Sequence, residues 1–325
     1  MKVLVTGATG FLGGALVRRL VRQGIDVVAT GRNERALAAL PLAAPLRFAW
    51  DLARPYDGDA ASGITAVVHC AALSSAWGRQ QDFREGNVEG TRHALALAAR
   101  LGAEHFVQIS TPAVYFRFED QIDVPEDMPL PPPVNDYAAT KAEADALVEA
   151  SGLPATILRP RGIYGRGDTA LLPRLLKAAR SGPLPRFRGG AARTDITHVD
   201  DVVDAIGAAL QVGPTAQCRT FNISGGEALP IATVVERACA ATGTAVRWRD
   251  LPVGPTLAAV RLNEWLLRLR RGAEPKITAY GLGIFAFTQT LDVSRARDEL
   301  GWAPQVPFAE GLARTFAPLE RSARD

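Results

Sequence analysis

The fold class this sequence predicts is α/β: a doubly wound parallel sheet followed by a smaller C-terminal lobe built from discontinuous segments. Three observations predict it. Short β-branched runs alternate with helical patterns as far as Pro160. A glycine-rich turn joins the first run to the first helical pattern. Past Pro160, glycine and proline become frequent and the regular alternation stops.

Element by element, Lys2–Thr6 reads as a strand, Phe11–Gln23 as a helix closed by Gly24, and Asp26–Thr30 as the second strand. Leu46–Trp50 and Ala66–Cys70 follow, then helix Asn87–Leu101, strand His105–Ser110, helix Asp136–Ala150 and strand Ala155–Arg159. Strands separated by helices at this spacing need right-handed crossovers, and so a parallel sheet covered on both faces. The expected division is residues 1–160, with segments of about 194–224 returning to the sheet, against a lobe from 161–193 and 225–325. The returning segments are Thr194–Val199, helix Asp200–Gln211 and Thr220–Ser224; helical patches Leu171–Ser181, Thr233–Ala241 and Thr256–Arg271 fall outside the regular pattern. The cleft is expected at the carboxyl ends of the strands, where open α/β sheets bind ligands.

Composition narrows the class. The chain has 325 residues, 47% hydrophobic and 22% charged, which is ordinary globular usage. A formal net charge of +3 gives no footprint for a nucleic-acid partner. Cys70, Cys218 and Cys239 are scattered and odd in number, as expected of buried thiols in a reducing compartment. The start lacks the apolar stretch of a signal peptide, and Ile277–Leu291 is too short and too polar to span a bilayer, so the expected location is cytoplasmic. His69, His93, His105 and His198 show no ligand spacing, and no metal is expected.

The turn Gly7-Ala8-Thr9-Gly10-Phe11-Leu12-Gly13 carries the first chemical signal. Gly7 permits a tight turn, Gly10 lets backbone approach a pyrophosphate, and Gly13 allows close helix–strand packing. Thr9, Phe11 and Leu12 complete the phosphate-binding set at a helix N-terminus, where free N–H groups favour anions. The competing reading is a flexible turn, but a strand before and a helix after favour dinucleotide binding in a Rossmann unit. At the tip of the second strand stands Thr30-Gly31-Arg32-Asn33, with no carboxylate for a ribose 2′-OH. Arg32 suits a 2′-phosphate, so NADP(H) is expected over NAD(H), against the alternative of a solvated loop arginine. Asp51 and Leu52, after the third strand, are expected beside the adenine, unless Asp51 caps the next segment.

Tyr137 and Lys141 are four apart on a predicted helix and share a face. A lysine cation beside a phenol favours the phenolate and brings its pKa down toward useful proton transfer. Lys141 is one of four lysines in an arginine-rich chain. A solvated helix face is the alternative, and the position one strand–loop–helix step beyond Ser110-Thr111 argues against it.

These motifs, with His69-Cys70-Ala71-Ala72-Leu73, Asn87-Val88-Glu89-Gly90-Thr91, Thr197-His198-Val199-Asp200-Asp201 and Leu300-Gly301-Trp302-Ala303-Pro304, resemble the extended short-chain dehydrogenase/reductases over almost the whole chain. The resemblance implies Tyr137 as acid/base, Lys141 on the nicotinamide ribose, Thr111 on the substrate oxygen and Asn87 as a structural residue beside the cofactor. It also implies Ala71, Ala72, Pro160, Gly162 and Ile163 around the cofactor, and a homodimer. Pro112-Ala113 replaces the Asp-Glu pair of the sugar-nucleotide dehydratases. Gly162 stands where nucleotide-sugar epimerases usually have Asn, and Arg193 lies one place early for their Arg-Asp pair. Ser74–Gly78, Ser110–Phe116 and Phe287–Asp292 resemble the 3β-hydroxysteroid dehydrogenase branch, and within it the bacterial 2-alkyl-3-oxoalkanoate reductases of olefin biosynthesis.

The expected function is therefore reduction of a ketone, or its reverse, on a hydrophobic substrate such as a 2-alkyl-3-oxo acid or a steroid-like ketone. A nucleotide-sugar epimerase and a non-catalytic NADPH-binding regulator are the alternatives. Ser75, Trp77 and Thr111 are the expected substrate contacts, with Trp77 and Phe83 as candidate pocket walls. The basic amphipathic stretch 256–271 admits three readings: a membrane or partner contact, a lid over acyl chains, or a half-buried helix with a solvated basic face. Pro125–Pro133 is expected as a semi-rigid loop beside the pocket.

Overall fold

A computed structural model describes residues 1–269 and 274–317. Seven strands form the central sheet: β1 (Lys2–Thr6), β2 (Asp26–Gly31), β3 (Arg47–Ala49), β4 (Ala66–His69), β5 (His105–Ile109), β6 (Ala155–Pro160) and β7 (Arg219–Ile223). Their order is β3-β2-β1-β4-β5-β6-β7, and every pairing is parallel. Chain direction across the sheet reverses between β1 and β4, and the loops leaving those two strands open a crevice at that point.

Alternation along the strands decides which helices cover which face. Val3 and Val5 point to one side, where α1 (Phe11–Arg22) contributes Leu16, Val17 and Leu20. Leu4, Val28, Phe106 and Ile157 point to the other, against Ala94 and Ala98 of α2 (Gly90–Arg100) and Val148 of α3 (Asp136–Glu149). The first face is completed by Val202, Ile206 and Leu210 of α4 (Val199–Val212). Both faces are apolar, so the strands read as nearly continuous hydrophobic runs.

Two expectations are corrected. Only Arg219–Ile223 of the later segments enters the central sheet. Thr197–His198 pairs with Ile163–Tyr164, and Arg193–Thr194 joins a separate sheet with Gln121–Val124, Leu229–Pro230 and Gln289–Leu291. The reason lies at Gly162, whose φ of +48° turns the chain out of β6 before Ile163. The helix expected from Asn87 begins instead at Gln80 and runs through a π-helical turn, Arg84–Glu89, into α2. That turn carries Asn87 and buries its side chain. Helix α5 spans Val253–Leu269; Arg270 and Arg271 lie outside the described residues. Among the described residues no helix is long and apolar enough to cross a membrane.

The glycines of the first turn have separate steric causes. Gly7 has φ +63°, and a Cβ there would lie 2.7 Å from the Ala71 nitrogen. A Cβ on Gly13 would lie 2.3 Å from the Gly7 carbonyl oxygen. Gly13→Ala therefore forces α1 away from β1 and is expected to cost about 1–3 kcal/mol, as overpacking does, read as a lowered urea midpoint with an unchanged slope.

Candidate active site

The Gly7–Gly13 turn runs over the carboxyl end of β1 into α1. The Gly10 N–H donates to the Gly7 carbonyl at 2.9 Å, no side chain caps α1, and no acidic residue occupies its first turn. A helix start so arranged presents N–H groups and positive dipole to an anion, which fits a dinucleotide pyrophosphate. Leu12 is buried in the core, Phe11 is half-buried, and Thr9 packs its side chain where Gly31 has none. Arg32 is exposed at the end of β2, and Asn33 beside it caps the next helix through the Ala36 N–H. Asp51 Oδ1 accepts from the Ala53 N–H at 3.2 Å, so it does cap the following turn, while Leu52 is buried among Val28 and Trp50.

Ala71 and Ala72 follow β4, with Ala71 directly under Gly7. Asn87 fastens this loop: its Oδ1 accepts from the Leu73 N–H at 2.7 Å, and its Nδ2 donates to the Leu73 carbonyl at 3.3 Å and to Thr140 Oγ1 at 3.1 Å.

Behind the loop, the ends of β4 and β5 meet α3. Asn135 caps α3 by accepting from the Ala138 N–H at 2.8 Å, which sets the phase that buries Lys141 and Asp145. Lys141 is 1% exposed, and its Nζ donates to the Ile109 carbonyl at 2.7 Å. Burial pulls its pKa below the usual lysine value, opposed chiefly by the Asp145 carboxylate. His69, hydrogen-bonded to Thr6 at 2.7 Å, is held at about 3 by burial and then by the Lys141 charge, so it stays neutral.

Tyr137 sits one turn before Lys141. Burial raises its pKa, and the hydroxyls of Thr111 and Ser74, facing the phenol, oppose the rise. In this structure the Lys141 ammonium turns to the Ile109 carbonyl, and burial is the largest influence on the phenol. Thr111 Oγ1 accepts from the Ala113 N–H at 3.2 Å, which leaves its own proton free to donate. Ser110 turns the opposite way and donates to Asp145 Oδ2 at 2.7 Å.

The Ser75 hydroxyl donates to the Trp77 carbonyl and accepts from the Trp77 N–H, closing its own loop, while the neighbouring Ser74 is the serine that acts on the Tyr137 phenol. Trp77 lies under the Arg268 guanidinium, 5.2 Å from its ring centroid, and Arg268 reaches Asp136 at 3.0 Å. The arginines of α5 thus lean toward the site: Arg261 sits 4.6 Å over Phe118. Arg261 and Arg268 are exposed, as are the apolar Leu262, Trp265, Leu266 and Leu269, so the solvated surface of the helix is mixed. A cavity of about 450 Å³ lies between Phe118, Pro133 and Val134 on one wall and Arg261, Trp265 and Arg268 on the other. Phe83 is fully packed in the interior and walls no pocket surface. Pro160 ends β6, and Ile163 begins the short strand beside it.

Sequence reasoning missed Ser74, Asp145, Arg159, Arg161 and Tyr280. Tyr280 stacks edge-on against Phe116 at 5.1 Å, and its charge environment includes both Arg161 and Tyr137. Asp145, four residues past Lys141, was legible as the next position on the same face; the others are brought in by tertiary contacts.

Residues 3–224 match the model of the NAD dependent epimerase/dehydratase family. The chain belongs to that family. It is an NAD(P)-dependent oxidoreductase of the extended short-chain dehydrogenase/reductase type. It is 33% identical over 330 residues to the uncharacterized protein YbjS of Escherichia coli (strain K12), covering 98% of each chain. It is 34% identical over 335 residues to a 2-alkyl-3-oxoalkanoate reductase of Stenotrophomonas maltophilia (strain K279a), covering 98% of this chain and 99% of that one. Among solved structures, MoeE5 in complex with UDP-glucose and NAD superposes with a TM-score of 0.75 at 27% identity, covering 97% of each chain.

Because Asn87 supplies both partners of the Leu73 backbone, Asn87→Ala leaves a half-buried N–H without its acceptor. The expected loss is about 1–3 kcal/mol, measured by chemical denaturation, with weaker cofactor binding in a fluorescence titration.

Proposed function

We propose that this chain interconverts a hydrophobic ketone and its secondary alcohol with NADP(H), the substrate being a 2-alkyl-3-oxo acid. The observation that carries the proposal is the half-buried Tyr137 with the Thr111 and Ser74 hydroxyls beside it and Lys141 one turn along α3. The likeness to the Stenotrophomonas reductase supports the substrate class.

When bound, the nicotinamide dinucleotide supplies the two-electron reducing equivalent. Tyr137 donates its proton to the carbonyl oxygen as negative charge develops there. Thr111 and Ser74 donate hydrogen bonds to the same oxygen, which is electrostatic stabilisation aimed at the transition state. Lys141, one turn along α3 from Tyr137, would hold the ribose of the dinucleotide. Phe118, Tyr280 and Trp77 give the apolar wall that an alkyl chain requires, with Phe116 packed behind Phe118 and Tyr280.

Arg32 supports NADP(H): it is exposed, forms no ion pair among the described residues, and has no carboxylate as its chain neighbour. The epimerase reading meets a steric objection at Gly162. A Cβ there would lie 2.8 Å from Ile196 Cγ2 at a φ of +48°, so the Asn of the epimerases has no room. A regulator would need neither a proton donor nor its hydroxyl partners. A homodimer and a peripheral contact through α5 remain part of this proposal.

Two experiments test it. Tyr137→Phe removes the proton donor and is expected to lower kcat by about 10²–10⁴-fold while leaving NADPH titration unchanged; full activity on the best ketone would sink the assignment. Arg32→Ala is expected to raise the KM for NADPH by about 10-fold or more, the worth of a charge-assisted contact, with the NADH value unmoved. An equal effect on both coenzymes would remove the NADP(H) argument.

A further inference from the structure

Arg161 follows the last residue of β6, at the carboxyl end of the sheet. Its backbone is fixed on both sides: its N–H donates to the Ile223 carbonyl at 2.8 Å, and its carbonyl accepts from the Thr197 N–H at 3.0 Å and hydroxyl at 2.7 Å. The residue is 5% exposed. A guanidinium has five N–H donors in a planar fork. Among the described residues one hydrogen bond is made, from Nη1 to Gln289 Oε1 at 2.6 Å.

The neighbouring carboxylate does not use up the rest. Asp195 Oδ1 stands 3.9 Å from Arg161 Nε, beyond hydrogen-bond distance, and both atoms are buried without a hydrogen-bond partner. Asp195 Oδ2 is taken by the Leu291 N–H at 2.9 Å. A buried ion pair that leaves its own hydrogen bonds open is poor value as a structural strut. Its location is informative. Gln289 Oε1 accepts the bond from Arg161, and its Nε2 approaches the carbonyl of Pro112, the residue after Thr111, at 3.5 Å. The cation is thus joined through Gln289 to the turn that carries Thr111.

We infer that Arg161 recognises the carboxylate of the substrate, with Gln289 and Asp195 as positioning residues. The inference rests on the proposed reduction of a 3-oxo acid. In such a substrate the carboxylate carbon is two bonds from the carbonyl carbon, so a cation joined to the turn that carries Thr111 suits that anion. Planar, bidentate pairing is the geometry a guanidinium favours.

The test uses the full chain in the oxidative direction, because a 2-alkyl-3-hydroxy acid is stable whereas the 3-oxo acid decarboxylates. The acid and its methyl ester are compared by kcat/KM with NADP⁺. The wild type is expected to favour the acid. R161Q/D195N keeps the site neutral and is expected to reduce the acid-to-ester ratio by on the order of 10–100-fold, mainly through KM. R161K, which retains charge but not the planar fork, covers the case in which the double variant fails to fold; a smaller fall in the same ratio is expected. A ratio unchanged in these variants, or a wild type that favours the ester, overturns the inference. If the wild type oxidises neither compound, the reductase reading itself fails. Calorimetric titration of the hydroxy acid then decides Arg161 separately: binding lost in the variant supports anion recognition, and equal binding overturns it.

Discussion

Asp145 holds a charged interior together. Its Oδ2 accepts from Ser110, and from Arg159 Nε and Nη2 at 3.3 and 3.0 Å, while its charge is the main influence opposing the discharge of Lys141. Arg159 in turn donates to the Tyr115 hydroxyl and lies 4.9 Å over its ring. Burying one uncompensated charge costs several kcal/mol, and removing one member of a buried pair typically costs about 3–5 kcal/mol. Lys141 can thus be kept 1% exposed beside Tyr137 because the carboxylate is already on the same helix, one turn further along. The cluster also ties strand to helix: Ser110 leaves β5, Arg159 is in β6, and Asp145 is in α3. The orientation of Tyr137 follows from this bracing.

The cofactor side is built from backbone to a greater extent than from side chains. Gly7 lies against Ala71 because neither position carries a side chain large enough to part the loops leaving β1 and β4. Asn87 then holds Leu73 in place from a π-helical turn, which widens the helix there by one residue and aims the amide inward. These contacts lie where the strand order reverses, so the crevice is a consequence of topology.

That origin explains what the sequence made readable. The βα alternation, the glycine spacing and the Tyr137–Lys141 pair are local patterns, set by periods of two and 3.6 residues and by turn sterics, and a linear reading reaches them. Ser110 and Thr111 were legible as adjacent hydroxyls, but their opposite directions were not, since these depend on Asp145 and on the turn at Pro112. The same limit applies to Ser74 and Ser75: loop closure by Ser75 onto Trp77 chooses which serine faces the phenol. The bond from Lys141 to the Ile109 carbonyl was not legible, because spacing on a helix says nothing of a carbonyl at the end of a neighbouring strand. Arg161 and Tyr280 are 119 positions apart in the chain (280 − 161), and no periodicity links them.

The substrate side shows why such distant residues matter. Gln121–Val124, Arg193–Thr194, Leu229–Pro230 and Gln289–Leu291 form one small sheet, so four separated stretches set the geometry around Arg161 and Gln289. Each is short, and none has the long hydrophobic register that anchors the central strands, so side chains there can change without disturbing β1–β7. Gly162 and Ile196 are a case in point: the methyl group of Ile196 occupies the volume a side chain at Gly162 would need. A fold that fixes coenzyme geometry by backbone and leaves its facing wall to scattered side chains can keep one proton-transfer apparatus and vary what is brought to it.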